Sequence, residues 1–564
     1  MKRKLPTPYL PFHSAAVRSR RLALGAILVA SAALASPVFA ESPEVDSVEK
    51  EVVLGVLRAP APKVLSEQIV GVARKIVPGP QTEALPFMIG GMLGDPMLEG
   101  VSLTENMGAV LLERGDDIVP VLVLKLTEES PLRQTLPSFN LHLHEFDGWT
   151  FGLQEVGAGS LIEGREEELI SAVRVERRFD IELTAESSFL ANKLRELLAD
   201  LPQMGEMEGK LMASLIAGVA AEADTVADFR IGLDLSPEAI RQALFLQATP
   251  GSPLAAFLDQ KRPQNFDFAK FIPATDPVLY LGGSDIEATR GYFDHFLQRI
   301  LGQTSGEEPN ILQEINRLSQ RFFDQSDGRS GGTFALEGFE LEMTQVYSSS
   351  MTDEELGEFL NEGLKMSEKL FDQEPWASMG MNTSGETQEL LLNHSEINDV
   401  SVHLLRTSYS MEVPESSEVG EEELALVESG MEQEMYYAML DGFMLNTTSL
   451  SRMAGLIEAI QSGEPVEDNL ASAVDLDGNK LLAWRVDLVG YMGEILSAMP
   501  FANQQLFEQL QQKNLSPING WASAEGGIGR VEAAIPVDTI AAIYQAFMEQ
   551  MEAQFEQPPM PVQE

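Results

Sequence analysis

The same structural phrases occur twice along this chain in the same order, and this repetition limits the folds open to it. Each set opens with an apolar strand that runs into a helix, continues with a hairpin, and closes with a strand pair that leads into another helix. The hairpins turn at Asp147-Gly148 and at Asp441-Gly442, because an Asp-Gly pair takes the positive φ angles that match the twist of paired strands. We therefore expect an internal duplication, with related halves at residues 45–262 and 263–553. The alternative is chance recurrence of strand–helix phrases in an α+β protein.

The strands come mostly in hairpins and seldom in strand–helix–strand alternation, which favours antiparallel pairing. The predicted fold class is α+β, in which each half is a hairpin-rich antiparallel sheet with helices packed on one face. Two helix starts are well marked: Thr352 with Glu355 forms a capping box, and Ser449 precedes a periodic apolar stretch that stops at Gly463.

The first 40 residues have the three-part pattern of an export signal. Six Lys and Arg residues precede an apolar stretch at 22–34, and Val38-Phe39-Ala40 offers a small-x-small cleavage site. The apolar stretch is too short for a comfortable membrane span. We expect a signal peptide at 1–40 and a periplasmic or extracellular protein. The pair Arg20-Arg21 resembles a twin-arginine signal, so both the secretory and the twin-arginine route stay open.

Charge and cysteine content restrict the partners. The formal net charge of −48 would repel nucleic acid and anionic membrane surfaces, both of which require clustered Lys and Arg. The chain has no Cys, which excludes disulfides, thiolate metal sites and a Cys nucleophile. We expect no transmembrane segment after removal of the signal. The stretch at 414–423 is an expected acidic linker, and residues 554–564 are an expected disordered tail.

A serine within glycines is one candidate for chemistry. Residues 328–332 read Gly-Arg-Ser-Gly-Gly, which matches the G-x-S-x-G pattern of serine hydrolases and centres on Ser330. The hydrolase pattern requires a strand before the serine and a helix after it. Here the predicted order is reversed, because a helix ends near Asp324 and a strand begins at Thr333. We expect a flexible glycine loop, with a catalytic Ser330 as the alternative.

Two histidines on one predicted strand are the other candidate. His142 and His144 project to the same face because side chains alternate along a strand, so they can share a metal ion. Glu145 points the other way, which leaves the pair without a third strong ligand nearby. The alternative interpretation is a polar, solvent-exposed face.

These patterns favour an exported, non-enzymatic binding or scaffold protein of a bacterial envelope. An apolar groove between a curved sheet and its helices would make it a carrier of a hydrophobic ligand, and its partner would be such a ligand or an envelope protein. We assign no catalytic, cofactor-binding or metal residue and expect no cofactor. The competing hypothesis is an envelope hydrolase that uses Ser330 or a His142/His144 metal site.

Overall fold

The computed structural model describes residues 52–92, 95–114, 117–154, 158–187, 191, 218–301, 308–337, 340–371, 387–409, 431–497 and 510–556. The predicted signal peptide and the acidic linker lie outside these residues, as does the predicted tail from residue 557 onward. The chain divides into two compact units: the first runs to Leu183 apart from Lys75–Val77, and the second comprises Lys75–Val77 and everything from Thr184.

The first unit is built around an antiparallel sheet. Its strands are β1 (Val53–Ala59), β2 (Met107–Arg114), β3 (Asp117–Lys125), β4 (His142–Phe146) and β5 (Trp149–Leu153), and β6 (Ile181–Ala185) begins in it. Its helices are α1 (Pro62–Ile76), α2 (Pro80–Glu83), α3 (Leu85–Met92), α4 (Leu132–Thr135) and α5 (Glu166–Arg174). The strands lie in the order β4–β5–β3–β2–β1, and β6 pairs with β1.

The core of the first unit lies on both faces of this sheet. Leu169 and Val173 of α5 pack with Val121 and other strand residues that share its face. Leu124 belongs to the opposite face and packs in a second cluster with Leu132 of α4.

The second unit contains a longer antiparallel sheet. Its remaining strands are β7 (Val226–Leu235), β8 (Ala239–Ala248), β9 (Val278–Gly283), β10 (Arg329–Glu337), β11 (Glu340–Ser348), β12 (Thr387–Ile397), β13 (Val400–Tyr409), β14 (Met431–Leu440), β15 (Phe443–Thr447), β16 (Lys480–Val486), β17 (Ile518–Glu525) and β18 (Ile528–Pro536). Their pairings give the order β12–β13–β14–β15–β11–β10–β9–β16–β17–β18–β8–β7.

Eight helices in the described part of the second unit have defined bounds, and residues 218–223 are also helical. They are α6 (Pro253–Phe257), α7 (Ile286–Leu301), α8 (Glu308–Gln325), α9 (Asp353–Phe371), α10 (Leu450–Ser462), α11 (Leu470–Ala473), α12 (Leu488–Ser497) and α13 (Val537–Glu556). The last of them extends to Glu556, so the first three residues of the predicted tail are helical.

Helices cover both faces of the second sheet. Met453 and Leu456 of α10 pack with Leu445 and Val346 in a large core cluster. The neighbouring residue Tyr347 points the other way and meets Phe322 of α8, with ring centroids 6.1 Å apart. The α+β class and the antiparallel pairing are confirmed, whereas the expectation of helices on one face is wrong. Apolar residues on both faces of the central strands explain this, because each face requires its own cover.

The turns and helix caps that were predicted from short sequence patterns are confirmed. Both Asp-Gly hairpins form, with φ of 48° and 75° at Asp147 and Gly148. Ser449 Oγ accepts a hydrogen bond from the Arg452 backbone at 3.2 Å, and Gly463 ends α10 in the left-handed region. The Thr352–Glu355 capping box is also present. Among the residues that the structure describes, no helix is long and apolar enough to cross a membrane.

Candidate functional site

Ser330 lies inside a strand and not in a flexible loop. It sits in β10, directly opposite Gly282 on one side and Tyr347 on the other. Packing explains the glycines that follow it. A Cβ on Gly331 would lie 2.9 Å from Leu281 Cδ1, and one on Gly332 would lie 2.5 Å from the Thr344 backbone oxygen and 3.0 Å from Tyr280 Cε1. The predicted glycine loop is therefore wrong, since these two glycines make room for neighbouring backbone and side-chain atoms within the sheet.

The described histidines do not complete a catalytic pair with Ser330. His403 Nε2 lies 3.1 Å from Asp353 Oδ1, and His295 Nε2 lies 3.5 Å from Glu222 Oε2. His394 stands beside the ring of Tyr436. No hydrogen bond joins a histidine to Ser330 within the described ranges, so the geometry that the serine hydrolase hypothesis requires is not formed there.

The structure places His142 and His144 on β4, at the edge of the first unit's sheet. His144 Nε2 lies 3.2 Å from Glu166 Oε1, whereas His142 is exposed. Glu166 is the first residue of α5. Because it lies far from His142 and His144 in the sequence, no sequence pattern predicted this contact. Within the described residues, no group of three His, Asp or Glu side chains is placed to hold a metal ion.

One surface of the second unit was not predicted from the sequence. Residues directly opposite each other in antiparallel strands project to the same face. Eleven strands, from β7 to β13 in the sheet order, present side chains on the same face as Val531. None of these side chains belongs to an Asp, Glu, Lys or Arg residue. We call this the uncharged face. It contrasts with a chain in which 22% of residues are charged.

The opposite face of the same strands shows that the pattern is not a property of the strands as a whole. In β18, Arg530 and Glu532 form an ion pair on the side away from Val531. In β7, Arg230 pairs with Asp228 on that side as well. Charge is thus excluded from one face only.

One cross-strand row of the uncharged face is apolar and open to solvent. Four of its members are exposed, at 44% for Ile231, 36% for Leu244, 40% for Val531 and 37% for Leu482. The register places them side by side on neighbouring strands, with the half-buried Ala522 between the last two. We call these five residues the apolar row. Large exposed apolar residues that adjoin one another mark interaction sites, whereas scattered ones do not.

Part of the same face next to the apolar row is covered. Leu246 and Ala524 each lie two residues beyond a member of the apolar row on the same strand. They pack with Leu254 in α6 and with Leu258 just after it. The helix therefore protects the neighbouring positions and leaves the row uncovered.

Beyond β16 the uncharged face becomes polar. The Tyr347 hydroxyl donates to Gln345 Oε1 at 2.9 Å, and Asn446 Nδ2 donates to the same oxygen at 3.3 Å. Burial raises the pKa of the Tyr280 and Tyr347 phenols, and it raises the pKa of Tyr437 to about 12. These phenols therefore remain neutral hydrogen-bonding groups at physiological pH.

The signal for this face was present in the sequence as alternation along β7, β8, β17 and β18. Only the register between these distant strands turns four separate alternations into one surface. Comparison with protein-family models, curated proteins and solved structures finds no match to this chain.

Proposed function

We propose that this protein is an exported, non-enzymatic binding protein that carries an apolar ligand on the uncharged face of its second unit. The observation that carries the proposal is the apolar row, in which four exposed aliphatic side chains stand side by side in an acidic protein. Covering a Val, Leu or Ile side chain contributes about 1.5–3 kcal/mol. The four exposed fractions therefore offer roughly 2–5 kcal/mol to a ligand, before burial of the ligand's own surface is counted.

The geometry of the catalytic candidates favours binding over hydrolysis. Ser330 is held within a sheet, and His144 contacts Glu166 in the other unit. The site proposed here draws instead on residues whose only chemistry is apolar contact.

We also infer that the halves 45–262 and 263–553 arose by duplication. The strand order β1–β2–β3–β5–β4 in the first unit parallels β9–β10–β11–β15–β14 in the second. A helix follows each Asp-Gly hairpin, namely α5 and α10, and the next strand pairs with the opening strand of its half. The β12–β13 hairpin has no counterpart among the described strands of the first half and accounts for extra length in the second half.

The proposed duplication relates the position of the apolar row to the two halves of the chain. The closing hairpins of the two halves, β7–β8 and β17–β18, pair with each other through β8 and β18. Leu244 and Val531 lie directly opposite each other in this pairing. The proposed ligand surface is therefore centred where the two halves join.

A neutral apolar dye tests the proposal. Nile red should gain fluorescence on the wild-type protein, and Val531→Glu should weaken its affinity by about tenfold or more, because a carboxylate in the contact surface must lose its hydration. Ile528→Glu is the matched control, since Ile528 is 37% exposed on the same strand but projects to the opposite face.

Two results would contradict the proposal. Equal Nile red affinity for both variants and the wild type would show that the dye does not bind at the apolar row. A wild type that binds no dye but dimerises in sedimentation experiments, with the dimer lost in Val531→Glu, would identify the row as a contact between two copies of the chain.

A further inference from the structure

We propose that the ligand is a single-chain amphiphile whose uncharged polar head contacts Ser330 and Tyr347, an inference that rests on the proposed function. Its tail lies along the apolar row, and its head lies at Ser330 and Tyr347, beside the ring of Phe322 in α8. The head is a hydroxyl, ester or amide, not a carboxylate or an ammonium group.

The apolar row leads directly to these two hydroxyl groups. Leu482 lies opposite Gly282, Gly282 lies opposite Ser330, and Ser330 lies opposite Tyr347. Gly282 carries no side chain, and a Cβ built on it would lie 2.9 Å from Leu482 Cδ1. The Leu482 side chain therefore extends over the glycine toward Ser330, and the apolar surface meets the first hydroxyl without an intervening side chain.

At the polar end of the face, one buried acceptor, Asn446 Oδ1, has unused hydrogen-bonding capacity. Tyr347 and Asn446 both donate to Gln345 Oε1. Asn446 Oδ1 is buried and has no hydrogen-bond partner within the described residues, although the residue is only 6% exposed. A buried acceptor without a donor costs free energy, so this part of the face favours a ligand that supplies hydroxyl or amide hydrogens.

The absence of charge on the face determines the class of head group. An ionised head placed on it would lose its hydration without gaining a Lys, Arg, Asp or Glu partner from the strands beneath it. The nearest guanidinium in sequence, Arg329, projects to the other side and is bound to Asp327. An uncharged head avoids this cost and still forms hydrogen bonds.

The length of the apolar row suits one hydrocarbon chain. It crosses five strands, and strands lie about 4.8 Å apart, so the row is about 19 Å long. A hydrocarbon chain that spans half of a ~30 Å bilayer core is about 15 Å long. A single extended tail thus fits along the row.

The polar end is specific to the second half. When positions are numbered from the two Asp-Gly turns, one polar cross-strand row of the second unit corresponds to a row of the first unit. The second-half row reads Tyr437, Asn446, Gln345, Gly332, Tyr280, and its counterpart reads Leu143, Gly152, Leu122, Ala109, Leu57. The first half thus has an apolar row where the second has hydrogen-bonding groups, which is the difference expected if one half acquired a head-group site.

Competition against bound Nile red tests the proposal. The competitors are 1-monolauroylglycerol, laurate and dodecyltrimethylammonium, which have similar tails and differ in the charge of the head. We expect monolauroylglycerol to displace the dye at the lowest concentration. Ser330→Ala and Tyr347→Phe should each weaken the binding of monolauroylglycerol by about 2- to 10-fold, the effect of one neutral hydrogen bond, relative to the Nile red affinity of the same variant. Ser523→Ala, on the opposite face of β17, is the control.

The outcomes separate the two proposals. If Nile red binds through Val531 but laurate or dodecyltrimethylammonium competes as well as monolauroylglycerol, the head-group inference is wrong and the carrier function stands. The same conclusion follows if the preference for monolauroylglycerol survives in both hydroxyl variants. If Nile red binding does not depend on Val531, the carrier function itself fails. Circular dichroism of each variant confirms that the fold is retained.

Discussion

The indole ring of Trp484 lies directly over Gly520 on the neighbouring strand. A Cβ built on Gly520 would collide with Nε1 and two carbons of that ring. The two residues face each other across β16 and β17 on the uncharged face, next to the apolar row. Gly520 is therefore required by packing, since its φ angle is not in the left-handed region.

Gly520→Ala should destabilise the protein by about 1–3 kcal/mol, because the ring or the strand must move to admit one methyl group. Gly455→Ala is the matched substitution. Gly455 lies within α10 with nothing near its Cβ position, so alanine there should stabilise the helix by about 0.5–1 kcal/mol. Urea unfolding of both variants measures the difference. The same sign of change in the two variants would contradict this account of Gly520.

An ion pair between the half-buried Arg452 and the buried Asp276 fixes α10 against the sheet. Arg452 binds both carboxylate oxygens of Asp276, at 2.7 and 3.1 Å, and the Thr333 hydroxyl donates to the same carboxylate at 2.6 Å. The Asp276 side chain is only 6% exposed. Loss of its partner would leave a buried carboxylate without a counter-charge.

Arg452→Ala should therefore lower the free energy of unfolding by about 2–4 kcal/mol. Adding Asp276→Asn to this variant should recover part of the loss, because the buried charge is then absent. Arg317→Ala is the surface control: Arg317 pairs with Glu362 but is 60% exposed, so its removal should cost less than about 1 kcal/mol. A double variant less stable than Arg452→Ala would show that the unpaired charge is not the cause.

Local structure was largely readable from the sequence, and the candidate site was not. The hairpins at Asp147 and Asp441 and the cap at Ser449 depend on neighbouring residues, so short patterns predict them. Ser330 was misplaced because the two glycines after it are in close contact with Leu281 and Tyr280, which come from a strand about fifty residues earlier.

The uncharged face shows the same limit on a larger scale. Ile231 and Val531 are three hundred residues apart in sequence, and only the pairing of β8 with β18 brings their strands into one surface. Apolar alternation in each strand is equally consistent with an ordinary packed core. The register between strands, which a single sequence does not contain, decides that this row is exposed.

Export remains a prediction that a simple measurement can check. Expressed with its own first 40 residues in a Gram-negative host, the protein should be recovered from the periplasm with Glu41 as its first residue. Ala40→Arg should block cleavage, because signal peptidase sites require small residues there. Intact mass measurement of the two proteins distinguishes the results. Cytoplasmic recovery of an uncleaved wild type would contradict the predicted signal.

The tyrosines of the uncharged face should make the protein sensitive to alkali. Burial, with a smaller contribution from Tyr347, raises the pKa of Tyr437 to about 12, whereas an unfolded tyrosine ionises near pH 10. Between about pH 10 and 12 the unfolded chain has lost a proton that the folded chain retains. The unfolded state binds fewer protons there, so stability falls as the pH rises through this window and is unaffected by this group below it.

Tyr437→Phe should remove its share of this slope, of the order of 2 kcal/mol across the window. Urea unfolding at a series of pH values measures the slope, and ultraviolet absorbance of the phenolate follows ionisation directly. The wild type should show tyrosines that ionise only as the fold is lost, at higher pH than in urea. Superimposable phenolate titrations with and without urea would contradict the raised pKa, and an unchanged slope in Tyr437→Phe would assign the alkaline sensitivity to other groups.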